Sequence, residues 1–380
     1  MVRPIDVSEL PAQAQRVLSP NAPGPAKLMA ARGVIPGLKP GDIVTVLVAL
    51  QRDANPQVAE AATATAAKLP PPILEGALQS ELPAAVVEAL ADAYSGNHDV
   101  VAKLLRQPRL DGDALMLLAE RADEAVGELV ATNEQRLLEY PNVIEKLYLN
   151  KRVRMSTADR LIELAVRNGV ELGFAAFHEA AAAIKNELIP EPTEEPTYDD
   201  LLFQQTEQLA ESVQSDDEDE GEDSYEVNEE GEEKVKEKFV PLHAQIAQMT
   251  ITQKIRTAQL GTSAARLILV RDPNKLVAEA AAKSPLLREN EAAQISASRA
   301  MSENVLRIIA MNREFTRNYQ VKINLVSNPR TPLTFSSRII PHLRDNDLRN
   351  LARSKNVPGA IVKAVKQQLS RKQGKKAQKT

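Results

Sequence analysis

Histidines and carboxylates are the residues of this sequence whose spacing could support metal or acid–base chemistry. His178-Glu179 begins like the zinc-protease signature, but three alanines follow and no second histidine completes it. The four histidines lie far apart along the chain: His98, His178, His243 and His342. An isolated histidine on a helical protein is more often structural than catalytic. We therefore predict no catalytic residue, no metal and no cofactor, and a protein that is not an enzyme.

Two short charged motifs have plain structural interpretations. Asp111-Gly112-Asp113 matches two positions of a calcium loop, but the apolar run Ala114 to Leu118 follows at once. A turn with an Asp cap at a helix start is favoured. Arg349 and Arg353 are spaced by four residues, which places them on neighbouring turns of one helix face.

Cations dominate the C-terminal end. Residues 349–380 contain ten cations and no carboxylate, and from this run we predict a cationic binding surface formed by Arg349, Arg353, Lys355, Lys363, Lys366, Arg371 and Lys372. Such a surface is typical of contacts to RNA, DNA or an acidic protein. A solubilising tail with no ligand is the alternative. The segment has no aromatic residue for base stacking, which argues against sequence-specific readout and leaves phosphate contacts open.

The elements that carry these cations follow from apolar spacing. Pro358 to Ser370 places Ile361, Val362, Val365 and Leu369 on one helix face, so we predict a terminal helix that docks through that face. Lys363 and Lys366 then point outward. Residues 371–380 are predicted to be a basic tail.

Charge divides the chain into unequal parts. Residues 187–237 carry 21 acidic and 2 basic side chains, whereas residues 238–380 carry 26 basic and 8 acidic ones. The acidic part has few large apolar residues, so we predict a disordered linker. Within it, Leu201, Leu202, Phe203, Leu209 and Val213 favour one short amphipathic helix that docks on a neighbour.

Helix-boundary signals recur through the rest of the sequence. Pairs of a capping residue and proline predict helix starts at Asn55-Pro56, Asp272-Pro273, Ser284-Pro285 and either Asn328-Pro329 or Thr331-Pro332. Thr250 and Gln253 form a predicted capping box, and Ser156 and Ser302 precede further helices. Val321 to Val326 alternates like a strand, but a helix between Tyr319 and Ser327 fits its surroundings better.

The spacing of the prolines indicates stacked helix pairs. Pro56, Pro83 and Pro108 recur at 25 to 27 residues, within the range of helical repeats. We predict an all-α fold, with two short HEAT-like α-solenoid regions joined by the acidic linker. The predicted parts are an irregular proline-rich arm (1–41), an N-terminal helical-repeat domain (42–186), the acidic linker (187–237), a basic C-terminal helical-repeat domain (238–370) and the basic tail (371–380).

Parts of the sequence resemble a known family of helical repeats. The runs DANPQVAEAATATAAKLPPPIL and RDPNKLVAEAAAKSP, and the segment around LLEYPNVIEKLYLNKRVRMSTADRLIELAVRNG, look like leucine-rich-repeat-variant and HEAT-like repeats. The similar proteins are bacterial and without an assigned activity, so the resemblance implies a scaffold and supplies no catalytic residue. Some leucine-rich-repeat-variant proteins begin with a cysteine-ligated cluster domain, from which this sequence departs because it has no cysteine.

Composition restricts the remaining function classes. The absence of cysteine excludes disulfides, thiol catalysis and zinc–thiolate sites. No stretch approaches the roughly 18 apolar residues of a membrane span, and no secretory leader is expected, so we predict a cytoplasmic protein.

We predict a non-enzymatic scaffold or adaptor that binds another protein and is autoinhibited by its acidic linker, which would compete with an anionic partner for the cationic surface. The alternative is a nucleic-acid-associated protein that contacts phosphates through its basic C-terminal half. A base-excision glycosylase on a HEAT-like frame is a third class, disfavoured by the scarcity of aromatic residues.

Overall fold

The computed structural model describes residues 5–185, 187–189, 191–193, 195–213, 224–227, 233–354 and 356–377. Within these residues the chain forms 24 α-helices and one two-stranded β-hairpin. The predicted all-α fold class is therefore confirmed. The chain divides into two compact units, Met1–Leu172 and Gly173–Thr380.

Twelve helices build the described part of the first unit. They are α1 (Ala12–Leu18), α2 (Gly24–Ala31), α3 (Pro40–Leu50), α4 (Pro56–Ala67), α5 (Pro71–Leu78), α6 (Ala84–Tyr94), α7 (His98–Leu104), α8 (Gly112–Arg121), α9 (Glu124–Ala131), α10 (Glu134–Glu139), α11 (Pro141–Tyr148) and α12 (Met155–Arg167).

Most helices of the first unit pack against the next helix and the next but one. One series of contacts runs from α2 through α4, α6 and α8 to α11, and a second runs from α1 through α3, α5, α7 and α9 to α12. The core between the two series is made of short aliphatic side chains such as Leu47, Leu90 and Leu118, which are almost completely buried. Each helix is too short to bury its apolar face alone, so its stability depends on these neighbours.

The described part of the predicted arm, residues 5–41, is not the irregular segment that the prolines predicted. It contains a 3₁₀ turn (Val7–Glu9) and the helices α1 and α2, whose alanines pack into a hydrophobic cluster with Val46, Leu50 and Val58. Prolines at the first turns of helices interrupt nothing, because those positions have no intrahelical N–H bond to lose.

A salt bridge fastens this N-terminal segment to the turn before α4. The Lys27 Nζ of α2 lies 2.7 Å from Asp53 Oδ2, and both side chains are mostly buried. The hydrogen bond from Lys27, together with that from the backbone N–H of Asn55, lowers the pKa of Asp53 below its usual value.

The Asp53→Asn substitution is expected to lower the free energy of unfolding at pH 7 by about 1 kcal/mol, because a charge-assisted bond is lost. Since the pKa of Asp53 is lowered in the folded protein, its contribution is present above the unfolded pKa of about 3.9 and is lost as the pH falls through the folded value. Urea titrations of both proteins between pH 7 and pH 2 measure this. A difference that persists undiminished at pH 2 would show that the carboxylate charge is not the cause.

The second unit contains the other twelve helices and the β-hairpin. The elements are α13 (Phe177–Ile184), α14 (Tyr198–Val213), β1 (Tyr225–Val227), β2 (Glu233–Val235), α15 (Val240–Gln248), α16 (Ile251–Leu260), α17 (Ser263–Leu269), α18 (Lys275–Ala282), α19 (Glu289–Ala297), α20 (Glu303–Met311), α21 (Tyr319–Ser327), α22 (Leu333–Ile339), α23 (Asp345–Arg353) and α24 (Gly359–Ala377). The contacts again follow two series, α16 to α18 to α20 to α22 to α24, and α17 to α19 to α21.

The boundary between the units lies earlier than the predicted residue 186. Helix α13, assigned from sequence to the N-terminal domain, packs against α16 and α18 of the second unit. Its Glu179 pairs with Lys283, the residue that follows α18. The contact joins residues about a hundred positions apart, which local patterns do not reveal.

Part of the predicted linker is folded onto the second unit. The amphipathic helix expected within it forms as α14, which buries Leu202, Phe203 and Val213 against α15, α16 and α17. The guanidinium of Arg256 lies 5.0 Å from the Phe203 ring centre. The acidic run 216–223 lies outside the described residues.

The β-hairpin is antiparallel, with Glu226 opposite Lys234. Arg271, just after α17, lies 4.0 Å over the Tyr225 ring and 3.1 Å from Glu233 Oε2. The Ser298 hydroxyl donates to the other oxygen of Glu233 at 2.6 Å. The described ends of the acidic segment are therefore tied to the surface of α17–α19.

Several predicted helix starts are confirmed. Asn55 caps α4, Asp111 caps α8, and Ser302 caps α20, each accepting from a backbone N–H of the first turn. Thr250 and Gln253 form the predicted capping box, and α21 has the predicted bounds. Ser156 lies inside α12, because that helix already begins at Met155.

Four of the five proline pairs do not cap helices. At one of them, Thr331-Pro332, Pro332 itself precedes the first residue of α22 and no side chain makes a capping bond there. Asn274 rather than Asp272 caps α18, and the Ser284 hydroxyl donates to the carbonyl of Gln259. Asn328 follows the last residue of α21, and its side chain is turned toward an earlier loop. Short polar side chains before proline can satisfy distant backbone groups as well as local ones, so the pattern alone does not decide between them.

Side-chain bridges to carbonyls 25 to 32 residues earlier recur along both units. The Gln107 amide nitrogen donates to the carbonyls of Leu78 and Ser80, and the Asn150 amide nitrogen donates to those of Ala119 and Ala122. In the second unit, Asn328 Nδ2 donates to Ser296 and Ser298 at 2.9 and 2.8 Å. These bridges satisfy carbonyl groups at helix ends, where intrahelical partners are missing.

Candidate functional site

The predicted cations lie on the last two helices of the second unit. Arg349 and Arg353 are exposed on α23, and Lys363, Lys366 and Arg371 are exposed on α24. Lys355 lies outside the described residues. Five of the seven predicted residues are therefore exposed on one pair of adjacent, packed helices.

Apolar burial explains why these helices present their cations outward. Leu348 and Leu351 of α23 are buried, as are Ile361 and Val365 of α24. Val362 and Leu369 are half-buried on the same face. The terminal helix thus docks through the predicted face, against α22 and α23.

Lys372 has a structural role that differs from the exposed one predicted. Its Nζ donates to the carbonyl of Leu343 at 2.9 Å and lies 3.0 Å from Asp345 Oδ1. This contact places the second half of α24 beside the start of α23, so the two helices run in opposite directions. We call this pair, with the loop that joins it, the cationic hairpin (Arg344 to Lys372).

A stacked arginine belongs to the same surface and was missed from sequence. The guanidinium of Arg344 lies 4.4 Å over the ring of Tyr319, whose hydroxyl donates to Asp347 at 2.6 Å and accepts from the Arg344 N–H at 2.8 Å. Burial and the bond to Asp347 raise the pKa of Tyr319. Arg344 precedes the predicted cations by about one turn of helix, so it could have been included in the predicted surface from the sequence. No local pattern indicates its pairing with Tyr319.

The carboxylates near the cationic hairpin are already engaged. Residues 315–377 contain 14 cations and only two acids, Asp345 and Asp347. Asp345 pairs with Lys372, and Asp347 accepts from the hydroxyl of Tyr319. The exposed cations therefore face solvent with little local compensation.

The first unit carries a groove with a volume of about 1080 Å³ along the series α6, α8 and α11. Its lining includes Ser95, Met116, Glu120, Arg121, Lys146 and Arg152. Arg121 pairs with Asp92 at 2.6 Å, and Lys146 lies 3.9 Å from Glu120. Charges of both signs line the groove, so it has no strong preference for an anion.

One histidine has a partner that the sequence did not show. His98 Nε2 lies 3.0 Å from Asp123 Oδ2, with both side chains about half exposed. Partial burial by itself would raise the pKa of Asp123, but the bonds from His98 and from the Val126 N–H lower it. Asp123 caps α9 and His98 begins α7, so the pair links two helix starts.

Among the residues that the structure describes, no three His, Asp or Glu side chains are grouped so that they could hold a metal ion. No described helix has the length and apolarity that crossing a bilayer requires.

Comparisons with known proteins supply no relative for this chain. No family model, no curated protein and no solved structure matches it.

Proposed function

We propose that this chain is a non-enzymatic scaffold of the helical-repeat type, whose first unit binds a segment of another protein. The observation that carries the proposal is the groove along α6, α8 and α11. Helices that pack on their next-but-one neighbours generate extended surfaces of this kind, in which each helix contributes a few side chains.

The lining of the groove suits a protein segment. Met116 and Leu149 offer apolar contacts, while Glu120, Lys146 and Arg152 form a polar rim. Protein interfaces combine an apolar centre with a polar rim, and methionine adapts to partners of varied shape. The Asn150 amide, which lines the groove, holds the adjacent end of α8 in place, which limits the entropy lost when a partner binds.

A photo-crosslinker placed at Met116 is expected to capture a defined partner from native extract, whereas one at exposed Thr63 of α4 is not. With that partner purified, the double variant Lys146→Glu, Arg152→Glu should weaken binding at least tenfold, because two rim charges are reversed. Isothermal titration measures the affinity. Equal labelling from both positions, or unchanged affinity of the double variant, would contradict a role of the groove.

We also propose autoinhibition by the acidic segment, acting on the cationic hairpin rather than on the groove. The acidic segment contacts the surface of α17–α19 through Glu233, which binds Arg271 and Ser298. Any masking of the cationic hairpin would therefore come from the residues between the described ends of the segment. Because α14 and the β-hairpin are folded, neutralising the carboxylates of residues 216–223 is a cleaner test than deleting the segment.

A further inference from the structure

We propose that the cationic hairpin binds the phosphate backbone of a nucleic acid, an activity separate from the protein-binding groove of the first unit. Six exposed cations define the surface: Arg344, Arg349, Arg353, Lys363, Lys366 and Arg371. They belong to a pair of helices that pack on each other. The proposal does not depend on the scaffold function.

The geometry places these cations along both helices of the pair. Arg349 and Arg353 lie four residues apart, so their Cβ atoms are separated by about 5–6 Å on one face of α23. On α24, Lys363 and Arg371 are eight residues apart, which corresponds to about 12 Å along the axis. Because the helices are antiparallel and Lys372 lies against Asp345, the end of α24 that carries Arg371 lies beside the start of α23, and the end that carries Lys363 lies beside the end of α23. Each helix of the pair therefore carries its own row of cations.

Arg344 is held ready for a ligand. Its guanidinium rests on the Tyr319 ring, and Tyr319 is itself fixed by its bonds to Asp347 and to the Arg344 backbone. A cation that is already positioned loses less side-chain entropy on binding. A guanidinium can also give two parallel hydrogen bonds to one phosphate, which an ammonium cannot.

A phosphate backbone fits the cationic hairpin better than an anionic membrane or an acidic protein does. Among the described residues from 343 to 372, no large apolar side chain is strongly exposed. A helix that enters a bilayer interface needs such an apolar face. A protein interface needs buried apolar or aromatic anchors at its centre. Backbone phosphates need only positive charge and donors, and four of the six cations are arginines.

The experiment measures the binding of fluorescent oligonucleotides, about 20 nucleotides long, to the full chain by fluorescence anisotropy at 50 to 300 mM salt. The oligonucleotides are single-stranded RNA, double-stranded RNA and double-stranded DNA. The test variant is Arg349→Gln, Arg353→Gln, Lys363→Gln, Lys366→Gln. The control variant removes the same charge from exposed sites of the first unit, Arg16→Gln, Lys68→Gln, Lys103→Gln and Arg106→Gln. Circular dichroism checks that both variants stay helical.

At least one of the three nucleic acids is expected to bind the unmodified chain. For single strands the slope of log K against log salt is about −0.7 per phosphate contacted. The test variant should bind at least tenfold more weakly at 100 mM salt. If most of the four removed cations contact phosphates, its slope of log K against log salt should also be shallower by about 2–3. The control variant should lose less than threefold.

Three results would overturn the proposal. The first is no detectable binding of any oligonucleotide at 50 mM salt. The second is an equal loss of affinity in the test and control variants, which would reduce the effect to net charge. The third is tighter binding to vesicles containing anionic lipid, or to poly-glutamate, than to every oligonucleotide. None of these results bears on the groove of the first unit, which the crosslinking experiment tests separately.

Discussion

Replacing Glu291 by alanine is expected to destabilise the second unit by about 3–5 kcal/mol, because it leaves the Arg266 guanidinium charged, buried and without its partner. The two side chains form a two-pronged pair, Nη2 to Oε1 at 2.7 Å and Nε to Oε2 at 3.0 Å. The side chains are only 5% and 2% exposed. The pair joins α17 to α19, so its loss separates two helices that contact each other.

Hydrogen exchange followed by mass spectrometry is the suitable measurement, since a chain with two units need not unfold in one step. Amides of α17 and α19 should exchange about 100-fold faster or more in Glu291→Ala, while those of α3 and α8 serve as an internal reference. A control is Glu163→Ala, which breaks the exposed pair with Arg167 on α12 and should cost less than about 0.5 kcal/mol.

A double variant separates the charge effect from packing. Arg266→Met with Glu291→Leu removes both charges and keeps apolar volume, so much of the lost stability should return. If the double variant is as unstable as Glu291→Ala, the pair acts through shape or through the further bond from Arg266 to the Gly261 carbonyl rather than through charge.

The second large effect is expected from Asn328→Ala, at about 2–4 kcal/mol. The Asn328 side chain is buried and its single amide nitrogen serves two carbonyls, those of Ser296 and Ser298. Without it, both acceptors lose a donor in a place with little access to water, and each unsatisfied group costs about 1–3 kcal/mol. Exchange of amides in α19 and α21 reports the change.

Three further variants serve as comparisons for Asn328→Ala. Asn328→Asp keeps the shape of the side chain but replaces the donor by an acceptor, so it should be at least as harmful as alanine. Asn356→Ala alters an exposed asparagine of the same unit and should be nearly neutral. Gln107→Ala removes the corresponding bridge in the first unit and should loosen α5 and α7 instead. Equal stability of Asn328→Ala and Asn356→Ala would refute the role assigned to the bridges.

Local features of this protein could be predicted from the sequence because their causes are local. The helix α21 was placed at Tyr319 to Ser327, and the caps at Asn55 and Thr250 were identified, since apolar periodicity and capping involve residues within one or two turns. The buried face of α24 followed from the spacing of Ile361 and Val365. The cations of the candidate surface were found for the same reason, as a run without carboxylates.

Only the tertiary structure decided which distant residues meet. Arg266 and Glu291 are 25 positions apart, as are Arg344 and Tyr319, and Asn328 reaches carbonyls 30 and 32 positions earlier. Which side chain reaches which carbonyl depends on how each helix is placed on its next-but-one neighbour, and that placement is set by the whole core rather than by a short motif. The same dependence brought residues 12–31 into the first unit and α13 into the second. It also engaged Lys372 with Asp345 while its neighbour Arg371 stayed exposed.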